Sequence, residues 1–395
     1  MKKGWQVKTL GEVCEVMNGG TPKTGVREYW DGSHLWITPA EMGKRLSPYV
    51  GDTERKITDL GLRNSSAQML PPWSVILSSR APIGHLVINT EPMATNQGCK
   101  GLIPSNQLHH KFLYYYLSSI VDLLNSLGTG ATFKELSGAK LKEVAIPVPS
   151  THEQQRIVGI LDGAFDGIAT AKANAEKNLQ NAHALFESHL ESVFTRRGNG
   201  WKNQTLDQIC IVERGSSPRP IKDFFTTKEN GVNWIKIGDT EEGGKYVYST
   251  AQKITPEGAK RSKYVKEGDF ILTNSMSFGR PYIMKTNGYI HDGWFALRLN
   301  VSIDSDYLYY LLSSRVVQSQ FTRLASGSVV QNISGDLVKQ AVLPIAPLAQ
   351  QHQIVESLSV LSGETQRLAS LYQGKLDALN ALKKSLLHQA FNGKL

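Results

Sequence analysis

One short motif in this chain has the residue types of a known catalytic loop. Leu70-Pro71-Pro72-Trp73 matches the Pro-Pro-aromatic part of the loop with which amino-methyltransferases hold a target amino group. That loop needs Asn or Asp at its first position, because a side-chain oxygen must accept hydrogen bonds from the amino group. Leucine has no such acceptor. The motif therefore predicts a turn before a strand and not a methyl-transfer site.

The other motifs for catalysis or cofactor binding are incomplete. Residues 243–246 contain Gly-Gly-Lys, but they lack the upstream glycine spacing and the Ser or Thr of a phosphate-binding P-loop. The ten histidines form no HExxH motif, and no Pro-Asp pair of a common nuclease motif occurs. We expect no catalytic residue, no metal and no cofactor in this chain.

Cysteine usage and hydropathy predict a cytoplasmic protein. Cys14, Cys99 and Cys210 lie far apart without a CxxC pair, which disfavours a disulfide framework and a zinc site and indicates a reducing compartment. No apolar run is long enough to cross a bilayer, and no apolar stretch follows the charged start of the chain. We expect neither a signal peptide nor contact with a membrane.

The basic residues are distributed over two parts of the chain. The net charge is +9, with 16 Lys and Arg against 12 Asp and Glu in residues 1–151, and 18 against 14 in residues 198–349. A basic excess on two globular parts is typical of a polyanion-binding protein. It is also common among soluble proteins without such a partner, so charge alone leaves both interpretations open.

A tandem duplication with a period of about 196 residues organises the chain. Matching residues recur in the same order: Gly4-Trp5 with Gly200-Trp201, Cys14 with Cys210, Trp36-Ile37 with Trp234-Ile235, Lys56-Ile57-Thr58 with Lys253-Ile254-Thr255, Ser137-Gly138 with Ser334-Gly335, and Ile157-Val158 with Ile354-Val355. This period far exceeds that of solenoid repeats, so the pattern predicts a duplicated domain. The repeat aligns residues 70–73 with 265–268, which supports the assignment of a turn there.

Each repeat divides into a globular part and a long helix. Residues 1–150 and 198–348 are rich in Gly, Pro and short β-forming runs, whereas residues 151–197 and 349–395 have apolar side chains at helical spacing and no proline. Ser150 and Glu153 fit a capping box at the first helix start. A helix of this length spans about 65 Å and must bury its apolar stripe, for which the other helix is the available partner.

These patterns predict an α+β fold with a pseudo-two-fold internal repeat. Two mixed α/β domains are separated by two long antiparallel helices that form a coiled-coil spacer. Such an arrangement matches duplex DNA read at two half-sites, which lie about 34 Å or more apart. A coiled-coil adapter carrying two similar modules is the alternative interpretation.

The order of domains and helices resembles the specificity subunits of type I restriction–modification systems. Local text agrees over essentially the whole chain: residues 19–22 (Gly-Gly-Thr-Pro), 76–84 (Ile-Leu-Ser-Ser-Arg-Ala-Pro-Ile-Gly), 95–99 (Thr-Asn-Gln-Gly-Cys) and 146–158 are similar to the family's framework. The second copy departs from it at residues 275–280 and 291–294, and the junction before its helix lacks a Ser or Thr cap. These departures put single contacts in doubt.

The resemblance implies a DNA-reading subunit without catalytic activity of its own. Two modification subunits carrying S-adenosylmethionine would dock on the helical regions and methylate an adenine in each half-site of double-stranded DNA. Two restriction subunits, the motor-nucleases, would join them and use ATP and Mg²⁺ to cleave unmethylated DNA. A duplicated scaffold offers each partner the same surface twice, which fits two copies of each.

Candidate DNA-contacting residues are polar or basic and lie in stretches where the two copies diverge. Arg, Lys, Asn and Gln read base edges best, while Lys, Arg, Ser and Thr bind phosphates. The candidates are Lys23, Thr24, Arg27, Lys44, Arg45, Ser78, Ser79, Arg80 and Lys134 in the first copy, and Arg219, Lys222, Lys245, Asn274, Ser275, Arg280 and Gln331 in the second. For each of them the alternative is an ordinary solvated side chain. Trp36 and Trp234 are expected in the core, because both are repeat-matched aromatic residues beside Ile; stacking on bases is the alternative.

Three glycines recur every four residues on the first long helix. Gly159, Gly163 and Gly167 each cost about 1 kcal/mol against alanine in a helix. We expect them to permit helix packing, as a close crossing with the second helix, or docking of a partner subunit. Local fraying is the alternative.

Three functional hypotheses remain, and experiments separate them. A specificity subunit would show salt-dependent DNA binding with its modification subunits. A DNA-modifying enzyme would methylate DNA without a partner. An adapter would show no salt-dependent DNA binding even with those subunits.

Overall fold

The first repeat folds around a five-stranded sheet. The computed structural model describes residues 4–130, 134–241, 243–274, 279–325 and 334–395. One of its two units comprises residues 1–176 with 374–395. Its strands are β1 (Gln6–Thr9), β2 (Cys14–Asn18), β3 (Trp30–Ile37), β4 (Tyr49–Val50), β5 (Arg55–Ile57), β6 (Val75–Ser79), β7 (Ile83–Asn89), β8 (Met93–Thr95), β9 (Cys99–Pro104) and β10 (Ala145–Val148). Its shorter helices are α1 (Leu10–Val13), α2 (Pro39–Met42), α3 (Asp59–Arg63), α4 (His110–Ser119), α5 (Val121–Leu127) and α6 (Gly138–Lys142).

The second unit, residues 177–373, contains the second repeat. Its strands are β11 (Lys202–Thr205), β12 (Cys210–Arg214), β13 (Phe225–Thr226), β14 (Val232–Ile235), β15 (Tyr246–Val247), β16 (Gln252–Ile254), β17 (Lys263–Val265), β18 (Phe270–Thr273), β19 (Pro281–Met284), β20 (Gly288–Ile290), β21 (Trp294–Leu299) and β22 (Val342–Ile345). Its shorter helices are α8 (Leu206–Ile209), α9 (Pro256–Ala259), α10 (Ser305–Ser313), α11 (Arg315–Ala325) and α12 (Gly335–Lys339).

The two units repeat the same sheet topology. The larger sheet has the order β2-β9-β6-β7-β4 in the first unit and β12-β21-β18-β19-β15 in the second. In the smaller sheet β5-β3-β8 matches β16-β14-β20, and the second unit adds β13 and β17 at the two edges. The opening strands keep their register, with Gln6 opposite Val148 and Lys202 opposite Ile345. The predicted α+β fold with an internal repeat is confirmed.

Two long helices follow the globular parts, α7 (Thr151–Arg196, 46 residues) and α13 (Leu348–Phe391, 44 residues). The Ser150 hydroxyl accepts a hydrogen bond from the Glu153 amide at 3.3 Å, as an N-cap residue does. Gln154 and Gln351 are buried at equivalent positions, and each side chain donates to a carbonyl just before its helix. These amide side chains tie each helix start to the preceding loop.

The end of each long helix completes the core of one unit. Phe391, at the end of α13, packs edge-on against Phe112 and Tyr116 of the first unit with ring centroids 5.1 and 5.2 Å apart. Phe194, near the end of α7, packs against Tyr307 of the second unit at 5.6 Å. Each aromatic residue extends the apolar stripe of its helix, so the core of each globular part is closed by the end of the helix that belongs to the other repeat.

The helix segments run antiparallel within each unit. In the first unit, the Arg156 guanidinium donates to the Leu395 carbonyl at 2.7 Å, and the Lys172 ammonium donates to Asn380 at 2.9 Å. In the second unit, Gln350 at the start of α13 donates to the carbonyl of Asn199, just after α7, at 3.1 Å.

Among the residues described, no helix is both long and apolar enough to span a membrane.

Candidate nucleic-acid interface

A loop after β2 is pinned to the turn between β8 and β9. The Gly19 amide donates to the Cys99 carbonyl at 3.1 Å, and the Asn96 side-chain amide donates to the Thr21 hydroxyl at 2.9 Å. A Cβ atom on Gly19 would lie 2.0 Å from the Asn96 carbonyl oxygen, so only glycine allows this approach. The loop exposes three predicted DNA contacts, Lys23, Thr24 and Arg27.

The indole N–H groups of two tryptophans donate hydrogen bonds to backbone carbonyls of the same loop. The Trp30 indole N–H donates to the Lys23 carbonyl at 3.3 Å, and that of Trp36 donates to the Gly20 carbonyl at 2.9 Å. Trp36 and its counterpart Trp234 are both only 2% exposed. The prediction that these two tryptophans belong to the core is confirmed, and their burial excludes base stacking.

Arg80 and Lys134 lie beside this turn. The Arg80 side chain passes over Gly98, and its guanidinium lies 3.9 Å from the Glu135 carboxylate. Glu135 also lies 3.9 Å from the Lys100 ammonium, while Lys134 is exposed. We call residues 19–29, 80, 96–98 and 134–136 the first loop cluster. It brings together five of the nine candidates in the first copy.

Burial corrects the prediction for Ser78 and Ser79, which are 0% exposed. The Ser78 hydroxyl accepts from the amides of Gly84 and His85 at 3.1 and 2.8 Å and donates to the Pro82 carbonyl at 2.8 Å. These bonds hold the β6–β7 connection together. Neither serine reaches a nucleic acid in this structure, because no part of either side chain lies at the surface.

Lys44 and Arg45 are neutralised by carboxylates of the same unit. Lys44 pairs with Glu54 at 3.1 Å, and Arg45 pairs with Glu41 at 2.6 Å and Asp52 at 2.7 Å. The hydrogen bond to Glu41, which is 3% exposed, raises the pKa of Arg45 above its ordinary value. Both cations close the segment between α2 and β5, and a phosphate would have to compete with these carboxylates.

The second unit pins its corresponding loop in the same way. The Gly215 amide donates to the Trp294 carbonyl at 2.8 Å, and a Cβ on Gly215 would lie 2.1 Å from the His291 carbonyl oxygen. The Ser217 hydroxyl donates to the Asp292 carboxylate at 2.7 Å. Between side chains, Asn96 of the turn donates to the loop in the first copy, whereas Ser217 of the loop donates to the turn in the second. The framework is the same and the polar groups differ.

Asn274, directly after β18, and Arg280, directly before β19, differ in accessibility. Asn274 is 1% exposed, its backbone amide donates to the Gly293 carbonyl at 2.8 Å, and its side chain donates to the Asp292 carbonyl at 3.2 Å. Its burial corrects the prediction that it contacts bases. Arg280 is half-buried, and its backbone amide donates to the Thr273 hydroxyl at 2.9 Å.

Two further candidates of the second copy, Arg219 and Lys222, are exposed. The Arg219 side chain is 83% exposed and lies 3.5 Å from the Asp292 carboxylate, and Lys222 is exposed. We call residues 215–223, 274, 280 and 291–293 the second loop cluster. Ser275 and Gln331 lie outside the described residues.

Lys245 lies apart from this cluster and is held within the unit. Its ammonium pairs with Asp306 at 2.6 Å and lies 5.1–5.4 Å from the rings of Tyr246, Tyr309 and Tyr310. Its side chain is 19% exposed. Its charge therefore fastens β15 to α10, and a DNA phosphate would have to compete with Asp306 for Lys245.

The second loop cluster contains Ser, His and Asp without the geometry of a hydrolase. Ser217 donates to Asp292, not to His291, and the His291 Nδ1 atom accepts from the Gly293 amide at 2.8 Å. A serine with no imidazole base is not activated as a nucleophile. The hydrogen bond from Ser217 lowers the pKa of Asp292, and burial lowers that of His291. Within the described part of the chain, no cluster of His, Cys, Asp and Glu could hold a metal ion.

The Pro-Pro-Trp segment is the turn that its sequence predicts. It immediately precedes β6, and Trp73 has a φ of +69°. The Trp73 ring is 49% exposed and packs at 5.1 Å from the His110 ring. No side chain of residues 70–73 has an oxygen that could accept from a target amino group.

The glycine stripe on α7 does not mediate a close helix crossing. A Cβ atom on Gly159, Gly163 or Gly167 would meet nothing within 4 Å, and all three residues are exposed. The prediction of helix packing at these glycines is wrong, since a close crossing would put atoms of the second helix against them. Docking of a partner and local fraying are left as the alternatives.

One exposed cation was missed by the sequence reasoning. Arg55, on the outer strand β5, places its guanidinium carbon 3.7 Å from the Trp30 ring centroid. The comparison of the two repeats could have identified it, because the shared Lys-Ile-Thr sequence is preceded by Arg55 in one copy and by Gln252 in the other.

Both repeats match one family model. The model for the type I restriction modification DNA specificity domain matches residues 2–180 and 198–373. The chain belongs to this family.

Individual relatives agree with the assignment. The type I restriction enzyme MjaIX specificity subunit of Methanocaldococcus jannaschii is 34% identical over 242 residues, which cover 56% of this chain and 55% of that subunit. This chain thus matches about half the length of that relative.

Solved structures of low sequence identity share the fold. A structure described as the structural basis of complex assembly and conformational transition of the type I R-M system has a TM-score of 0.82 at 19% identity, covering 100% of this chain and 99% of that one. The HsdS subunit from Thermoanaerobacter tengcongensis has a TM-score of 0.60 at 18% identity, covering 100% and 98%.

Proposed function

We propose that this chain is the specificity subunit of a type I restriction–modification complex and reads a bipartite, asymmetric DNA target. Residues 1–150 read one half-site and residues 198–348 read the other, while residues 151–197 and 349–395 form the spacer helices. The observation that best supports this proposal is the duplicated loop framework, which carries different side chains in its two copies. One framework with two sets of polar groups suits two different half-sites.

Exposed side chains of the two loop clusters are the proposed DNA contacts. Lys23, Thr24, Arg27 and Lys134 are exposed in the first cluster, and Arg219 and Lys222 in the second. Arg80 and Arg280 lie beside them with less exposure. Cations on loops fix a protein on the phosphate backbone, while Arg side chains that enter a groove read bases.

The chemistry of the complex is proposed to reside on partner subunits in the cytoplasm. Two modification subunits would bring S-adenosylmethionine, and two restriction subunits would bring the ATP- and Mg²⁺-dependent nuclease. The exposed stripe of Gly159, Gly163 and Gly167 is compatible with a modification subunit that approaches the helix backbone closely. This chain would supply recognition and placement alone.

The test is methylome sequencing of cells that express this chain with its modification subunit. We expect methylated adenines in a split motif with a fixed spacer, and replacement of residues 1–150 by another family member's domain should change one half of the motif only. A continuous motif, or a change in both halves, would contradict the proposal. Methylation by the purified chain alone would show an enzyme, and absence of salt-dependent DNA binding by the complex would show an adapter.

A further inference from the structure

Arg55 is presented on the surface by a tryptophan. It belongs to β5, the outer strand of the smaller sheet in the first unit, and its side chain is exposed. Its guanidinium carbon lies 3.7 Å from the Trp30 ring centroid and 5.5 Å from that of Trp36. At 3.7 Å this is a cation–π contact, which occupies none of the guanidinium N–H groups with a hydrogen-bond acceptor and so leaves them available to a ligand.

The charge of Arg55 is not taken up by a carboxylate. Over the part of the chain that the structure describes, its side chain has ring contacts but no ion pair and no hydrogen bond. Arg45, ten residues earlier, is bound to Glu41 and Asp52. Trp30 also donates to the Lys23 carbonyl, so Arg55 and the exposed loop of the first cluster are fastened to one ring.

The structural position of Arg55 recurs in the second repeat, where it is occupied by Gln252. Arg55 lies directly opposite Trp36 across the strand pair, and Gln252 lies directly opposite Trp234. The three residues that follow are Lys-Ile-Thr in both copies. A framework position that differs between two recognition domains is where a difference in target sequence would be encoded.

We propose that Arg55 is a specificity-determining residue of the first domain and recognises a guanine in its half-site. An Arg guanidinium matches the O6 and N7 acceptors of guanine in a bidentate arrangement in the major groove, and β5, which carries Arg55, is the outer strand of its three-stranded sheet. The Trp30 stack holds the guanidinium before DNA arrives, which reduces the ordering cost on binding. This inference rests on the proposed function.

The experiment uses the full chain with its modification subunits and compares Arg55→Ala, Arg55→Lys and Arg55→Gln with wild type. Methylome sequencing and binding to duplexes changed one base pair at a time are the readouts. We expect each variant to lose preference at one guanine of the first half-site by roughly 5- to 100-fold, with the second half-site unchanged. Arg55→Lys keeps the charge and the stem over Trp30, so it separates recognition from folding.

Lys56→Ala is the matched control, because Lys56 is the next residue and its side chain points to the opposite face of the strand. It should leave the motif unchanged. An unchanged motif in Arg55→Ala would overturn the inference. Uniform weakening on all sequences with a smaller salt dependence would also overturn it, since that is the result of a phosphate contact. If wild type produces no split motif, the proposed function itself fails, which is a separate outcome.

Discussion

Removing the Phe391 ring should destabilise the first unit more than the second. The ring packs edge-on against Phe112 and Tyr116 at 5.1 and 5.2 Å, beside the buried Leu387. Truncation of a fully buried Phe to Ala costs about 3–5 kcal/mol. Phe391 is only partly buried, so for Phe391→Ala we expect about 2–3 kcal/mol by the same principle.

Hydrogen exchange measured by mass spectrometry can assign this loss to a unit. Amides of β6 and α4 that exchange by unfolding of the first unit should exchange roughly 30- to 140-fold faster, which corresponds to that free energy. Amides of β18 and α10 should change much less. Phe194→Ala should give the reverse pattern, because Phe194 occupies the equivalent place against Tyr307.

The control is Leu382→Ala on the same helix, since Leu382 is 46% exposed and should have little effect. Equal acceleration in both units after Phe391→Ala would refute the reasoning, because the helix end would then not belong to one core. Unchanged protection in both units would show that the Phe391 contacts do not contribute to stability.

Three further changes test other parts of the structure. Gly163→Ala should stabilise the isolated chain against urea by up to about 1 kcal/mol, because a Cβ there meets open space. Weaker assembly of this variant with the modification subunit would mark a docking face, and a destabilised chain would contradict the geometry. Ser78→Ala should cost about 1–3 kcal/mol in denaturant unfolding, since the amides of Gly84 and His85 lose their acceptor, and the methylated motif should stay the same; an unaltered unfolding midpoint would refute this. The hydrogen bond from Lys263 lowers the pKa of Glu213 below its ordinary 4.5. The stabilising contribution of the Glu213 carboxylate is therefore present above pH 4.5 and is lost as the pH falls through the lowered pKa. Glu213→Gln should flatten the acid side of the profile of stability against pH, and an identical profile would contradict the assignment.

Much of the fold could be predicted from local patterns. The duplication and the tryptophan core positions follow from matching residues in the two repeats, and the long helices follow from 3.6-residue periodicity. Both patterns can be read along the chain without knowledge of how its parts pack. Strand β13 and the edge strand β17 of the second unit were not predicted. Each is only two or three residues long, and so short a segment has no periodicity to read.

The candidate site was predicted less well than the fold. The loop with Lys23 and Arg27 was found because it follows a shared Gly…Pro turn and diverges between copies. Ser78 and Lys245 have the residue types of a DNA contact, but the structure uses both internally. Arg55 lies directly before residues that the two copies share and was overlooked, because only its contact with Trp30 in the structure makes it prominent.

By itself, the amino-acid sequence determined that this chain is a duplicated protein of globular parts and long helices, and the resemblance to its family followed from that order. Tertiary structure alone decided which polar groups remain available to a ligand. Lys245, for example, is neutralised by Asp306, although the two residues lie far apart in the sequence. The packing of the sheets and helices sets those distances, because long-range contacts leave no regular spacing in the sequence.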